Sequence, residues 1–156
     1  MKILILAPRL PHAHAYSGMQ MVYQRMFRLI QRGHEVGLIC YIDPEHDEPF
    51  IDKVSPDLLD MEVIKDPFLN RLLPKNFTLN RDSSPSSFFR YHSSSMKKKV
   101  GEIVARRGYD VVIAEFTAMG QFLHKNPYLP AVRKVISCHD SPTLGSRRRM
   151  DLMEAS

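Results

Sequence analysis

Ile3, Leu4, Ile5, Leu6 and Ala7 form an unbroken apolar run, the pattern of a parallel strand covered on both faces. After a loop from Pro8 to Gly18, apolar side chains recur at Met19, Val22, Met26 and Leu29, with Gln20, Gln24, Arg25 and Gln31 between them. That spacing of three and four predicts a helix with one apolar stripe. Arg32 puts positive charge near its end, and Gly33 can take the left-handed backbone that stops a helix. Val36, Leu38, Ile39 and Tyr41 predict a second strand, which completes a strand-helix-strand unit with a right-handed crossover. Met61, Val63 and Ile64 predict a short third strand, after a connection from Asp43 to Asp60 with room for a short helix.

From Pro67 to Ser95 the composition shifts to three prolines and seven serines, which predicts an irregular excursion or short helices inside one domain. Lys97 to Arg107 resumes a helical pattern with Val100, Ile103 and Val104 on one side, and Gly108 ends it. Val111 to Ala114 predicts a fourth strand, Ala118 to Lys125 a helix, and Lys134 to Cys138 a fifth strand. The tail from Thr143 to Ser156 reads as the opening of another helix. Alternating strands and helices predict one α/β domain over residues 1–156, a Rossmann-like doubly wound parallel sheet ordered 3-2-1-4-5 with helices on both faces. Ligands of such sheets sit beyond the carboxyl ends of the strands, at the switch between the two halves. That rule selects Pro8 to Gly18, Glu115 to Gly120 and His139 to Thr143.

The chain is 156 residues long, 44% hydrophobic and 25% charged, which excludes disordered and fibrous classes. A chain of this size buries roughly two-thirds of its unfolded surface, enough for a core without disulfides or structural metal. Cys40 and Cys138 both have apolar neighbours, so both are expected to be packing residues in a reducing, cytoplasmic compartment. No apolar run approaches the roughly 18 residues of a membrane span. The opening run is also shorter than the apolar region of a signal peptide. Net charge of +5, from 22 Lys and Arg against 17 Asp and Glu, favours anionic partners without choosing among them.

Ser17 and Gly18 stand immediately before the first predicted helix. Backbone N–H groups and the helix dipole there can face a phosphate or sugar; the alternative is that Ser17 caps the helix and Gly18 turns the chain. The dinucleotide fingerprint G-x-G-x-x-G and the P-loop Gly-Lys-Ser/Thr are absent. His12 and His14 have a spacing that allows two imidazoles on one side of an extended segment, yet no Cys, Asp or Glu cluster accompanies them, so no metal site is assigned. Cys138 and His139 are adjacent and point to opposite faces of a strand, which argues against a thiol-imidazole pair. Lys97-Lys98-Lys99 with Arg106-Arg107, and Arg147-Arg148-Arg149, read either as solvated helix faces or, joined to Phe68–Phe77 and Phe88-Phe89-Arg90-Tyr91, as a surface for peripheral contact with anionic lipid. No nucleic-acid-binding module is present.

Five ordered elements carry a resemblance: Lys2-Ile-Leu-Ile-Leu-Ala7-Pro8; the loop ending Ser17-Gly18; Arg32-Gly33-His34-Glu35-Val36; Tyr109-Asp110-Val111-Val112-Ile113-Ala114-Glu115; and Cys138-His139-Asp140. Together they are similar to the N-terminal half of a group-1 (family-four) retaining glycosyltransferase of the GT-B fold. The resemblance implies that the chain is the acceptor-side domain, and that a second, donor-binding domain lies outside it. The Glu-x7-Glu donor motif of that second half is not found in these residues. The implied reaction moves a sugar from a nucleotide-sugar donor to a saccharide or lipid-linked acceptor with retention, as in polysaccharide or lipopolysaccharide biosynthesis. No metal or further cofactor is implied. The isolated half is expected to be inactive, since half a cleft cannot align two substrates.

By the same resemblance His139 contacts the transferred sugar and donates a hydrogen bond; held between loop carbonyls, it would be structural instead. Asp140 is expected to orient His139 or to cap the segment that follows. Glu115 is expected to bind acceptor hydroxyls or to cap a helix from Phe116. Many members have Gly-Gly where this chain has Ser17-Gly18. The alternative function is a non-enzymatic Rossmann-like binding domain that offers its open sheet edge to a partner protein.

Overall fold

A computed structural model describes residues 1–65 and 91–139. Strand β1 (Lys2–Ala7) leads to helix α1 (Ser17–Gln31), strand β2 (Glu35–Ile42), helix α2 (Pro44–Val54), a 3-10 turn over Ser55–Asp57, and strand β3 (Asp60–Lys65). Helix α3 (Ser94–Arg107), strand β4 (Val111–Glu115), a 3-10 segment over Thr117–Phe122 and strand β5 (Arg133–Ser137) complete the described fold. All four strand pairings are parallel and the order is β3-β2-β1-β4-β5. The expected doubly wound α/β sheet is therefore the observed one.

Period-two alternation within the central strands sorts the core into two layers. Leu4, Leu6, Ile39 and Tyr41 meet Met96, Val100, Ile103 and Val104 of α3, together with Met119 and Phe122. Ile3, Ile5, Leu38 and Cys40 face the opposite side and meet Val22 and Met26 of α1 and Val54 of α2. Burial pushes the Cys40 thiol far above its ordinary pKa, so this cysteine is a packing group, as expected. Cys138 is exposed. It corrects the expectation of a packing residue: β5 stops at Ser137, one residue earlier than its apolar run suggests.

Local signals set most boundaries. Ser93 accepts a hydrogen bond from Met96 N at 3.2 Å and caps α3, and Gly108 ends that helix at φ 65°. Asp43 accepts from Glu45 N at the start of α2, where Pro44 occupies the first turn. The segment after β4 is 3-10 rather than the expected α-helix. It is confined between positive φ values at Phe116 and Lys125, and Asn126 precedes Pro127, which disfavours helical backbone. Of the excursion expected from Pro67 to Ser95, residues 67–90 lie outside the described residues and Ser94 and Ser95 belong to α3; the helix expected from Thr143 and Arg147 to Arg149 also lie outside them.

On α3, Lys98 pairs with Glu102, Lys99 with Glu62, and both Arg106 and Arg107 with Asp60. These contacts place carboxylates beside the basic side chains, so α3 offers an anionic surface less charge than its sequence alone suggests. No helix among the described residues is long and apolar enough to cross a membrane.

Candidate functional site

The carboxyl end of β4 carries Glu115, paired in register with Ser137 of β5. His139 lies two residues beyond Ser137, and a period of two returns it to the same side as the Ser137 hydroxyl. Its Nε2 stands 2.7 Å from Glu115 Oε2 and 3.3 Å from Ser137 Oγ. Arg25, from the third turn of α1, reaches across the edge and donates through Nη1 to Glu115 Oε1 at 2.6 Å and to Ser137 Oγ at 2.8 Å. One carboxylate thus holds a guanidinium on one oxygen and an imidazole on the other.

Exposure separates the roles. The Glu115 side chain is 0% exposed, whereas that of Arg25 is 39% exposed and that of His139 11%. A buried carboxylate is tolerated when it is paired and hydrogen-bonded. Both oxygens of Glu115 are so engaged, and it orients the groups around it. It does not cap the following turn, because that turn has no side-chain cap. A neutral histidine that donates from Nε2 to a carboxylate has its tautomer fixed, with Nδ1 as an acceptor.

Phe116 connects this cluster to α1. Its ring stacks on His139 with centroids 4.3 Å apart and planes 24° from parallel. The same ring fills the place of a side chain at Gly18, where a Cβ would lie 2.8 Å from Cζ. Gly18 is therefore at the site, and its missing side chain admits Phe116. Phe116 holds φ 68° and ψ 145°, backbone that non-glycine residues rarely adopt and that clusters at functional sites. A hydrogen bond from its N–H to the Ser137 carbonyl, 2.9 Å, pins that conformation.

Ser17 is the first residue of α1, and Tyr16 occupies the capping position without a side-chain cap bond. The expectation that Ser17 caps the helix is corrected accordingly. Asp140 lies outside the described residues. His12 and His14 pack on Phe50 with ring centroids 4.0 and 6.0 Å away, and His12 Nδ1 accepts from His14 N at 3.3 Å. Among the described residues no group of three or more His, Cys, Asp or Glu is placed to hold a metal.

The structure brings together Gly18, Glu115 and His139, and adds Arg25, Phe116 and Ser137. Arg25 falls among the polar positions of the α1 pattern, yet it lies seven residues from Gly18 and three from Val22, on the side that meets the sheet. Ser137 carries a signal too: it stands two residues before His139 at the end of a strand. No sequence signal marks the Phe116 backbone.

No family model and no curated protein matches this chain. Among solved structures, the C-terminal domain of a hydrogenase from Pyrococcus furiosus is similar over 87% of this chain and 89% of its own, at 15% identity and a TM-score of 0.51. At that identity the likeness concerns the fold alone.

Proposed function

We propose that this chain is the acceptor-side domain of a nucleotide-sugar-dependent, retaining glycosyltransferase of the GT-B type. The observation that supports this best is His139, held on the buried Glu115 beside Gly18 and a backbone-strained Phe116 at the carboxyl edge of β4 and β5. Gly18, Glu115 and His139 belong to the ordered elements that resemble the family, and the edge is where doubly wound sheets bind ligands. In this reading His139 stands beside the transferred sugar with its Nε2 on Glu115, while the donor C–O bond breaks through an oxocarbenium-like transition state, the nucleoside diphosphate leaves with the bonding pair and takes up the proton of the acceptor hydroxyl, and the acceptor oxygen forms the new bond. Arg25 and Glu115 act through His139 by holding its ring. The donor is a nucleotide sugar and the acceptor a saccharide or lipid-linked saccharide.

The test is transfer by the full-length protein that carries this chain, supplied with nucleotide sugars and followed by release of the nucleoside diphosphate. His139→Ala is expected to lower turnover by about 10²-fold or more, the usual loss when a positioned polar group at the reaction centre is removed. His139→Ala also removes the stack on Phe116 and one partner of the buried Glu115, so His139→Gln, whose amide can still donate to Glu115, is the decisive variant: it should lose turnover with a thermal midpoint close to that of the parent. Equal losses of activity and stability, or no turnover with any nucleotide sugar, would refute the assignment.

A second reading, a non-enzymatic interaction domain, has one observation in its favour. β5 ends the described sheet with Val135 and Ile136 exposed, and such an edge can accept a partner strand.

A further inference from the structure

The geometry points to Arg25 and His139 as a preformed binding site for an oxyanion of the substrate, a phosphate or carboxylate carried by the acceptor. That the oxyanion belongs to the acceptor rests on the function proposed above; that the pair binds an oxyanion rests on the side chains alone.

Both hydrogen bonds of Arg25 use Nη1. Among the described residues Nη2 and Nε have no partner, and the side chain is 39% exposed. Both contacts of the His139 ring nitrogens use Nε2, which leaves Nδ1 without a protein partner among the described residues. None of these three nitrogens is sealed from solvent without a hydrogen bond. Of the residues that anchor the pair, Glu115 is fully buried, and the half-buried Ser137 touches both groups through Oγ at 2.8 and 3.3 Å.

Chemistry then selects the ligand. A guanidinium has five donors and no acceptor, and its planar fork matches carboxylate and phosphate oxygens. Glu115 already neutralises one unit of positive charge, so a neutral imidazole leaves the cluster without net charge and a protonated one leaves it cationic. An oxyanion accepts from the guanidinium in both cases, and beside Nδ1 it either accepts from the imidazolium or, as a monoprotonated phosphate, donates to the neutral ring. Because Glu115 and Ser137 fix both groups before binding, the ligand spends little free energy on ordering them. A plain sugar hydroxyl makes no use of the guanidinium's charge.

Methyl phosphate is the probe, titrated into the ¹⁵N- and ¹³C-labelled 156-residue chain at low salt while the Arg25 side-chain and His139 ring resonances are followed. Saturable shifts at both residues are expected, with the neutral methyl glucoside producing none. Arg25→Lys keeps a cation for Glu115 and removes the fork; it is expected to weaken methyl phosphate at least fivefold, as is His139→Gln. Arg28→Gln, on the exposed face of the same helix, should change binding less than twofold.

Two further ligands separate the sources of the oxyanion. Galacturonate binding as tightly as methyl phosphate assigns a carboxylate acceptor; methyl phosphate binding at least tenfold more tightly assigns a phosphorylated one. A nucleoside diphosphate that shifts both residues when methyl phosphate and galacturonate do not would overturn the assignment to the acceptor. Weakening by Arg28→Gln with none by Arg25→Lys would reduce the effect to bulk charge and overturn the site. If Arg25→Lys fails to fold, the His139→Gln titration decides alone. Efficient transfer to an uncharged acceptor by the full-length protein, with affinity unchanged by Arg25→Lys, would refute this inference and leave the transferase standing.

Discussion

Phe116 supports the His139 ring from a backbone conformation that favours glycine. Two substitutions separate the strain from the packing. Phe116→Ala and Phe116→Gly both remove the ring from His139 and Gly18, so they differ only in backbone preference. At ordinary φ, alanine is the more stable by about 0.5–1 kcal/mol. At φ 68° the order should reverse, with Phe116→Gly the more stable by roughly 1 kcal/mol. Urea unfolding of the two variants measures this, and an alanine variant as stable as the glycine one would remove the strain. The sequence could not show this conformation, since a bond from Phe116 N to a strand 21 positions later imposes it. Glu115 was legible as a residue ending an apolar run at a ligand edge; its burial was not, because that depends on Arg25 arriving from another element. His12 gives a prediction in pH. Burial lowers its pKa from 6.5, against an opposing pull from Asp47 and with His14 and Lys53 adding to the decrease. The unfolded chain then binds the proton more readily, so the stability of the His12–Phe50 stack is complete above pH 6.5 and is lost as pH falls through the lower, folded value. The thermal midpoint should fall between pH 7 and pH 5, and His12→Asn should flatten that dependence. An unchanged slope in the variant would assign the acid response to other groups.

Helix α3 shows how local signals and tertiary packing combine in one element. Its apolar side at Val100, Ile103 and Val104 and its glycine stop could be read from the sequence, whereas it starts at Ser94 behind the Ser93 cap, ahead of the expected Lys97. Gly101 is a different case. Propensity alone makes alanine better there by about 1 kcal/mol, but the main chain of Tyr128 occupies the space a Cβ would need. That backbone is held in part by Asn126, which donates to the Phe122 and Lys97 carbonyls and accepts from Tyr128 N, so it cannot move as a loose side chain would. Gly101→Ala is therefore expected to destabilise the protein by about 1–3 kcal/mol, the usual cost of overpacking. A gain in thermal midpoint would mean that the Tyr128 segment yields. The 3-10 segment after β4 escaped the helical pattern for a related reason: its apolar residues have helical spacing, while the conformations at its two ends leave no room for a regular α-turn.

At the scale of the molecule, the order of the five strands followed from alternation and right-handed crossovers, rules that need no side-chain detail. What those rules omit is how unequally the sheet is covered. Leu4, Ile5 and Leu6 of β1 are fully buried, whereas Val135 and Ile136 of β5 are 46% and 48% exposed. β5 pairs only with β4 among the described strands, so few buried contacts oppose its release, and local opening follows such differences. Amides of β5 that bond to β4 should exchange with deuterium at least tenfold faster than those at the centre of β1. Equal protection would mean that another strand or a second copy of the chain covers β5, which a dependence on protein concentration would reveal. The difference bears on function because β5 carries Ser137 and leads into His139. Opening β5 withdraws the imidazole from Glu115 and dismantles the site, so a ligand that requires His139 must oppose that opening. Under linkage it slows β5 exchange by the factor 1 + [L]/Kd, about tenfold at nine times Kd. Openings confined to α2 and β3 leave the site assembled and should keep their rates. A ligand that protects α2 and β3 as strongly as β5 would be binding elsewhere, and the carboxyl edge of β4 and β5 would lose its standing as the functional site.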